Sequence, residues 1–366
     1  MRIEQLTFPR FVAAISIFVY HYGKNIFPFN LEYSGFLFKQ ANVGVSFFFI
    51  LSGFVMIIAY HNYKKIGFLE FVKRRFARIY PVYFLAIVLY FIYLLARRMP
   101  LDYTGLILNL TMIQSWFPGY ALSFNTPGWS LAVEFFFYAT FPFLFNYLYK
   151  NSTLKKLTIP IILIFVISQV VHHWLMVSPF NSGYPSKSYD FIFYFPLMHW
   201  SEFLIGNLAG LYFIQHRINR NFDWHIIGLV LLYAIILRFD TIISYHNGMM
   251  AFIFVPLILL IAYNNGLITR TMTLSIPVFL GEISYSIYIL QKPIYRWIKA
   301  IMIYFDLDNP TMIFYTALIV LIAASALSYH FLETPIRDKI NHWNHQKRKK
   351  TNRPMAYTKE KAEFIN

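Results

Sequence analysis

Residues 8–27 read FPRFVAAISIFVYHYGKNIF, an apolar segment that carries two ionisable side chains, Arg10 and His21. His21 follows Arg10 by eleven residues. An α-helix turns about 100° per residue, so the two side chains point to within roughly 20° of the same direction. At about 1.5 Å rise per residue, the two lie roughly 16 Å apart along the helix. Ionisable groups at such depth in a membrane usually face a polar cavity or a partner. The segment therefore predicts either a functional pair or a histidine hydrogen-bonded to a neighbouring helix.

The composition indicates a membrane protein, because 58% of the 366 residues are hydrophobic and only 13% are charged. Several apolar runs reach the roughly 20 residues that a helix needs to span the hydrocarbon core. The sequence therefore predicts an all-α, polytopic protein with about ten transmembrane helices. These are expected at residues 8–26, 42–61, 79–96, 128–149, 157–177, 191–214, 225–243, 247–264, 276–304 and 311–333. The apolar stretch 106–116 is too short to cross and is predicted to be re-entrant or interfacial.

The distribution of positive charge predicts which side of the membrane each connection faces. With the N-terminus inside, 23 of the 32 Lys and Arg residues lie on the inner side and seven on the outer side. The other two, Lys292 and Arg296, belong to the outer part of the ninth predicted helix. Because positive charge collects on the cytoplasmic side, both termini are predicted to be cytoplasmic. This placement also explains the net charge of +16 without a nucleic-acid partner.

Two further features of the composition bear on partners and chemistry. The tail at residues 339–366 is basic and polar, with the run KRKK at 347–350, and is predicted to contact anionic lipid head groups. The chain has no cysteine, which excludes a disulfide, a thiol nucleophile and a thiolate metal site.

A basic block, FVKRRFARIYP at residues 71–81, lies in the second predicted connection, just inside the membrane. Arg74 and Arg78 are four residues apart, a spacing that places two side chains together on a helix. Arginine binds phosphate through two parallel hydrogen bonds. Together with Arg75, these two arginines predict a binding site for a phosphorylated cytosolic donor. The alternative is that their charge serves only to set the orientation of the protein in the membrane.

The stretch NTPGWSLAVE at residues 125–134 enters the fourth predicted helix through a Pro-Gly turn. Glu134 lies about six residues, roughly 9 Å, below the outer surface, and His21 approaches a similar depth from the other side. A carboxylate beside an imidazole fixes its tautomer and raises its basicity, as a general base requires. The pattern predicts that Glu134 orients His21, with a structural salt bridge as the alternative.

Polar side chains also interrupt the sixth and ninth predicted helices. His199 and Glu202 are three residues apart and therefore neighbours on a helix, and they precede Gly206 and Gly210, whose spacing suits close helix packing. No metal-binding motif such as HExxH is present, so no metal is predicted. Glu282 shares a helix face with the serine four residues later and is a candidate to line the inner half of a tunnel.

These blocks resemble those of the acyltransferase 3 family of integral membrane O-acyltransferases, over residues 6–338. Arg10 and His21 match the family's pattern of Arg or Lys, ten residues and His. The other matching blocks are GVSFFFILSGF at 44–54, RRFARIYP at 74–81, WSLAVE at 129–134, EFLIG at 202–206, ISYSIY at 283–288 and ETPIR at 333–337. The chain departs from the pattern at Gln291, where many members have His, and at His199, where many have Arg.

The resemblance implies a plasma-membrane enzyme with one membrane domain, residues 1–338, and without the extracytoplasmic hydrolase-like domain that some members carry. It implies transfer of an acyl group, usually acetyl from cytoplasmic acetyl-CoA, to a hydroxyl of a lipid-linked or cell-surface carbohydrate such as an exopolysaccharide. A polytopic glycolipid transporter or flippase, with the same histidine and carboxylates as a proton relay, is the alternative.

The sequence and the resemblance together predict a role for each candidate residue. Arg10, Arg74, Arg75 and Arg78 are expected to hold the phosphates of coenzyme A. His21 is expected to act as the base that deprotonates the acceptor hydroxyl or as a transient acyl carrier, with Glu134 orienting its ring. The residues expected to contact the carbohydrate are Trp129, Ser130 and Glu202.

Overall fold

The computed structural model describes residues 3–216, 218–239 and 245–339, and this part of the chain is helical without a β-strand. The all-α prediction is therefore confirmed, while the basic run at 347–350 lies outside the described residues. The α-helices are α1 (Thr7–Phe18), α2 (Gly35–Lys39), α3 (Gly44–Tyr60), α4 (Phe68–Ala96), α5 (Tyr103–Leu110), α6 (Gly128–Phe143), α7 (Leu154–Val177), α8 (Lys187–Tyr194), α9 (Trp200–Gln215), α10 (Asp223–Arg238), α11 (Ala251–Tyr263), α12 (Leu267–Met272), α13 (Ser275–Tyr304) and α14 (Pro310–Ser328).

Three of these helices continue into π-helical turns. The turns are Val19–Gly23 after α1, Leu144–Tyr149 after α6 and Tyr329–Glu333 after α14. A π turn adds a residue to the helical repeat and so redirects the side chains that follow, and such turns are frequent at functional sites. His21 and Glu333 lie in two of them.

Five helices in the described part of the chain are long and apolar enough to cross a membrane: Ala41–Tyr60, Phe68–Ala96, Gly128–Tyr149, Leu154–Val177 and Pro310–Lys339. The chain is thus a polytopic membrane protein, and the count of ten stays a prediction. Two of the other predicted spans are less apolar because they carry charges, such as Arg10 on α1 and Lys292 on α13.

Two boundaries predicted from hydropathy were wrong. Helix α4 begins at Phe68, not at residue 79, so the basic block lies on a helix and not in a connection. Lys and Arg are good helix formers, and Pro81 removes only one backbone hydrogen bond. The predicted span 191–214 is broken where Phe195 takes an extended conformation before Pro196, because a residue that precedes proline disfavours the helical region.

Helices α3 and α9 pack in parallel through glycine. A Cβ atom placed on Gly206 would stand 2.0 Å from the carbonyl oxygen of Ile50, and one on Gly210 would stand 2.9 Å from that of Phe54. The two backbones are therefore in direct contact, which confirms the close packing predicted from the glycine spacing.

Helices α1 and α13 also run parallel. Gly281 lies against the backbone of Thr7, where an added Cβ would stand 2.3 Å from the carbonyl oxygen of Thr7. Fourteen residues further along α13, Tyr295 stacks on Tyr22 with ring centroids 4.0 Å apart. We call these two levels the Thr7 end and the Tyr22 end of the bundle; the charge distribution predicts that the Thr7 end is cytoplasmic.

The short apolar stretch at 106–116 does not continue as one helix. Helix α5 ends at Leu110, and a 3₁₀ turn at Gln114–Trp116 follows. The amide of Gln114 donates to the carbonyl of Gly128 at 2.8 Å, and Ser115 donates to that of Trp129 at 2.9 Å. The stretch therefore anchors the start of α6, which carries Glu134.

Replacing Gly206 with Ala is expected to destabilise the protein by about 1–3 kcal/mol, because the added methyl group forces two backbones apart. Thermal unfolding of purified protein in detergent measures the effect. Gly228→Ala, in α10, is the matched control, since nothing lies within 4 Å of a Cβ at that position. Equal unfolding temperatures for the two variants would contradict the proposed packing.

Candidate active site

Of the two cavities that Arg10 and Arg78 both line, the larger opens near the Thr7 end of the bundle. It has a volume of about 260 Å³. Its polar lining combines three arginines with two glutamates and two tyrosines: Arg10, Arg78, Arg337, Glu282, Glu333, Tyr285 and Tyr329. Glu282, a candidate to line the inner half of a tunnel, lines this cavity, and its carboxylate accepts a hydrogen bond from Tyr329 at 2.7 Å.

A smaller cavity, of about 110 Å³, lies deeper in the bundle. It shares Arg10, Arg78 and Tyr285 with the larger cavity, so the two adjoin. At its far side it is lined by Ser130 and Tyr288. Together the cavities form a path from the Thr7 end towards the middle of the bundle.

Three arginines, which we call the arginine cluster, lie along this path: Arg10, Arg75 and Arg78. Arg75 is held by aromatic rings, with its guanidinium carbon 5.5 Å from the ring centroid of Tyr60 and 5.7 Å from that of Tyr138. It also donates to the Tyr60 hydroxyl at 3.3 Å, while its Nε is buried without a hydrogen-bond partner. A buried, unused donor is suited to an anionic ligand.

Arg74, the fourth predicted phosphate ligand, faces away from the cluster. Its guanidinium pairs with Glu70 one turn earlier at 3.1 Å, and it lines neither cavity. The sequence indicated convergence of Arg74 with Arg78; the helical geometry of α4 instead brings Arg75 and Arg78 to the cavities.

Glu134 is the acidic member of the smaller cavity. Its Oε1 accepts a hydrogen bond from Ser52 at 3.1 Å and a short one from Tyr138, and its charge acts on Arg10. Among the described residues, none of its hydrogen bonds involves His21. The structure thus places Glu134 with the arginine cluster, not beside the histidine that it was expected to orient.

His21 lies at the Tyr22 end and lines neither cavity. Its exposed ring contacts those of Tyr20, with centroids 5.0 Å apart, and Tyr22, at 5.8 Å. The π turn that begins at Val19 changes the angular spacing used to place Arg10 and His21 on one helix face.

A wall of side chains lines the smaller cavity on its side towards the Tyr22 end. The hydroxyls of Ser130 and Tyr288 are hydrogen-bonded at 2.8 Å, and the ring of Tyr288 lies 5.8 Å from that of Phe48. Tyr288 precedes Tyr295 by two helical turns, or about 10 Å, so this wall stands between the cavity and the level of His21.

Trp129 and Glu202, which were also predicted to contact the carbohydrate, do not line the cavity that Ser130 lines. Trp129 is buried, with its ring 4.9 Å from that of Tyr194 and 5.2 Å from that of His199. Glu202 is fully buried, accepts from Ser46 at 2.6 Å and bonds Nδ1 of His199 at 3.0 Å. Neither lines a cavity, so the substrate-binding role of both stays a prediction.

Tyr138 and Glu333 are among the residues of the site to which the sequence assigned no role. Tyr138 is one helical turn after Glu134 on α6, a spacing that would have signalled the contact. Glu333 is the final residue of the last predicted helix and accepts a short hydrogen bond from Ser286, a contact that no local pattern reveals. Within the described residues, no group of three or more His, Asp and Glu is arranged to hold a metal ion.

Comparison with known proteins identifies the family. The family profile described as "Acyltransferase domain" matches residues 3–330. The chain belongs to this acyltransferase 3 family. The resemblance noted in the sequence is confirmed, and the matched residues include all those that line the two cavities except Glu333 and Arg337.

Three relatives from bacteria are similar to this acyltransferase 3 chain. The O-acetyltransferase OatA of Staphylococcus aureus is 22% identical over 92% of this chain and 59% of its own length. YrhL of Bacillus subtilis, whose name describes a peptidoglycan O-acetyltransferase, is 26% identical over 90% of this chain and 54% of its own. The acyltransferase MdmB of Streptomyces mycarofaciens is 34% identical over 39% of each chain. No solved structure matches the chain significantly.

Glu202→Gln is expected to lower the free energy of unfolding by about 1–3 kcal/mol, because an amide nitrogen replaces one of two buried acceptor oxygens. Chemical denaturation measures the change. Ser46→Ala removes one of the same hydrogen bonds, so the double variant should lose less than the sum of the single losses. A Glu202→Gln protein that is stable but transfers the acyl group to the acceptor less efficiently would instead favour the substrate-binding role of Glu202.

Proposed function

We propose that the protein transfers an acetyl group from cytoplasmic acetyl-CoA to a hydroxyl of a lipid-linked or cell-surface carbohydrate at the plasma membrane. The observation that carries this proposal is the path formed by the two cavities, which the arginine cluster lines along its length. The name of OatA supports acetyl as the acyl group, and that of YrhL supports a carbohydrate acceptor.

The donor enters from the Thr7 end, which is predicted to be cytoplasmic. Its phosphates bind the arginine cluster, where the free Nε of Arg75 supplies a charge-assisted hydrogen bond. Arg337 adds a fourth positive charge at the entrance. The pantetheine arm then extends into the smaller cavity and brings the thioester towards Ser130 and Tyr288.

Glu134 limits the charge of the donor site. Three arginines around one cavity repel one another, and a carboxylate among them offsets part of that repulsion before the donor binds. Tyr138 and Ser52 hold the carboxylate by hydrogen bonds. This is a positioning role, which replaces the orientation of His21 that the sequence indicated.

Transfer needs the thioester carbon, the acceptor hydroxyl and His21 to meet. His21 removes the hydroxyl proton, the oxygen attacks the thioester carbonyl carbon, the C–S bond breaks, and coenzyme A leaves as a thiolate that recovers the proton. In the alternative order, a ring nitrogen of His21 first takes the acetyl group and then passes it to the hydroxyl. In either order, the wall made by Ser130 and Tyr288 has to open.

Arg78→Gln is expected to raise the KM for acetyl-CoA by roughly 10- to 100-fold, the equivalent of one lost charged hydrogen bond of about 1.5–3 kcal/mol. Acetyl transfer by the purified protein in nanodiscs measures the change. Lys65→Gln is the control, because that exposed side chain lies on the same predicted side but outside both cavities. An unchanged KM for Arg78→Gln would exclude the arginine cluster as the donor site.

His21→Ala is expected to slow transfer by about 10²- to 10⁴-fold, the usual effect of losing a general base, while acetyl-CoA still binds. Trapping the wild-type protein with labelled acetyl-CoA and no acceptor distinguishes the two orders, since only the covalent route leaves label on the protein. Normal transfer by a folded His21→Ala protein would refute the role of His21. A transporter, in contrast, would bind no coenzyme A at all.

A further inference from the structure

A second group of positive charges lies around His21, at the opposite end of the bundle from the larger cavity. We call it the lysine group; it consists of Lys24, Lys292 and Arg296. Lys24 follows His21 by three residues, and the other two are one turn apart on α13. The charges of Lys24 and Lys292 act on His21, and that of Arg296 acts on Lys292.

The Tyr22 end brings these side chains together. The stacking of Tyr22 on Tyr295, with centroids 4.0 Å apart, joins the end of α1 to α13 between Lys292 and Arg296. Lys292 is half-buried, and its ammonium lies 4.6 Å from the ring centroid of Tyr90. The group is therefore part of a packed aromatic surface.

In the described part of the chain, no carboxylate forms an ion pair with the lysine group. The ion pairs found within residues 3–216, 218–239 and 245–339 join Arg74 to Glu70, His199 to Glu202 and Arg337 to Asp338, and none includes a member of the group. Contacts with aromatic rings contribute only about 0.5–2 kcal/mol each. Three neighbouring cations without an acidic partner favour an anionic ligand.

Membrane orientation does not account for these charges. Positive residues that set topology lie on the cytoplasmic side, whereas Lys24, Lys292 and Arg296 lie at the predicted outer end. A half-buried lysine there loses part of its hydration. Binding of an anion would restore the lost stabilisation.

We infer that the lysine group binds an anionic group, a phosphate or a carboxylate, on the carbohydrate acceptor. This inference rests on the proposed function and narrows its acceptor to an anionic carbohydrate. The anion would be held beside His21, so that a neighbouring hydroxyl of the same sugar meets the histidine. The rings of Tyr20 and Tyr22 offer flat surfaces for the apolar face of the sugar.

The test compares three probes of similar size: methyl glucoside, glucose 1-phosphate and glucuronic acid. Binding to the purified protein in phosphatidylcholine nanodiscs is measured by ligand-observed NMR, and acetyl transfer from labelled acetyl-CoA is measured in parallel. The wild-type protein is expected to bind the two anionic probes about tenfold more tightly than the neutral one. Lys292→Gln and Arg296→Gln are expected to remove this preference and to leave acetyl-CoA binding unchanged.

Lys39→Gln is the matched control, because it removes an exposed lysine on the same predicted side but outside the lysine group. Equal binding of the three probes by the wild type, or a preference that survives in both variants, would overturn the inference. Failure of the proposed function would show differently, as a wild-type protein that binds no acetyl-CoA.

The phosphate that binds the lysine group could come from a lipid head group instead of from the acceptor. Adding phosphatidylglycerol to the nanodiscs distinguishes it from the acceptor. If this lipid displaces glucose 1-phosphate from the wild type at trace amounts, the group is a lipid site and the inference is wrong. If glucose 1-phosphate binding is insensitive to it, the acceptor assignment is supported.

Discussion

The mutual repulsion of three arginines inside a helical bundle is the constraint on which this structure depends. Arg10 and Arg78 come from two helices and lie where the two cavities adjoin, and Arg75 lines the smaller cavity. Like charges this close are tolerated when acidic groups, aromatic faces or water share the site. Glu134 is the acidic group, and the rings that surround Arg75 are the aromatic faces. The open cavities admit water. A bound polyphosphate would complete the balance.

The packing of the bundle makes this arrangement possible. Glycine contacts bring α3 against α9 and α1 against α13 at backbone distance, which fixes the level of each polar side chain. Arg10 at one end of α1 and His21 at the other are thereby held about 16 Å apart along the helix. The acyltransferase 3 domain thus has two polar regions at opposite ends of α1, with the wall formed by Phe48, Ser130 and Tyr288 between their levels.

The sequence predicted individual residues better than their partners. Arg10 and Glu134 could be singled out because a charge in an apolar run has few harmless explanations, and Arg78 because it lies four residues from another arginine in a basic block. The pairing of Glu134 with His21 rested on depth alone, and depth does not specify the direction in which a side chain points. The π turn at Val19–Gly23 and the contact between Ser286 and Glu333 depend on tertiary packing, which local patterns do not encode. The break at Phe195 has a local cause in Pro196, which hydropathy alone does not register.

The wall of Phe48, Ser130 and Tyr288 also has a consequence for the cell. An enzyme that works on both faces of an energised membrane would short-circuit the proton gradient if its passage were open throughout. At the level of the wall, the hydroxyls of Ser130 and Tyr288 are hydrogen-bonded to each other and the ring of Tyr288 lies near that of Phe48. In the proposed reaction, the side chains that delay the acyl group would therefore also oppose the leakage of protons between turnovers.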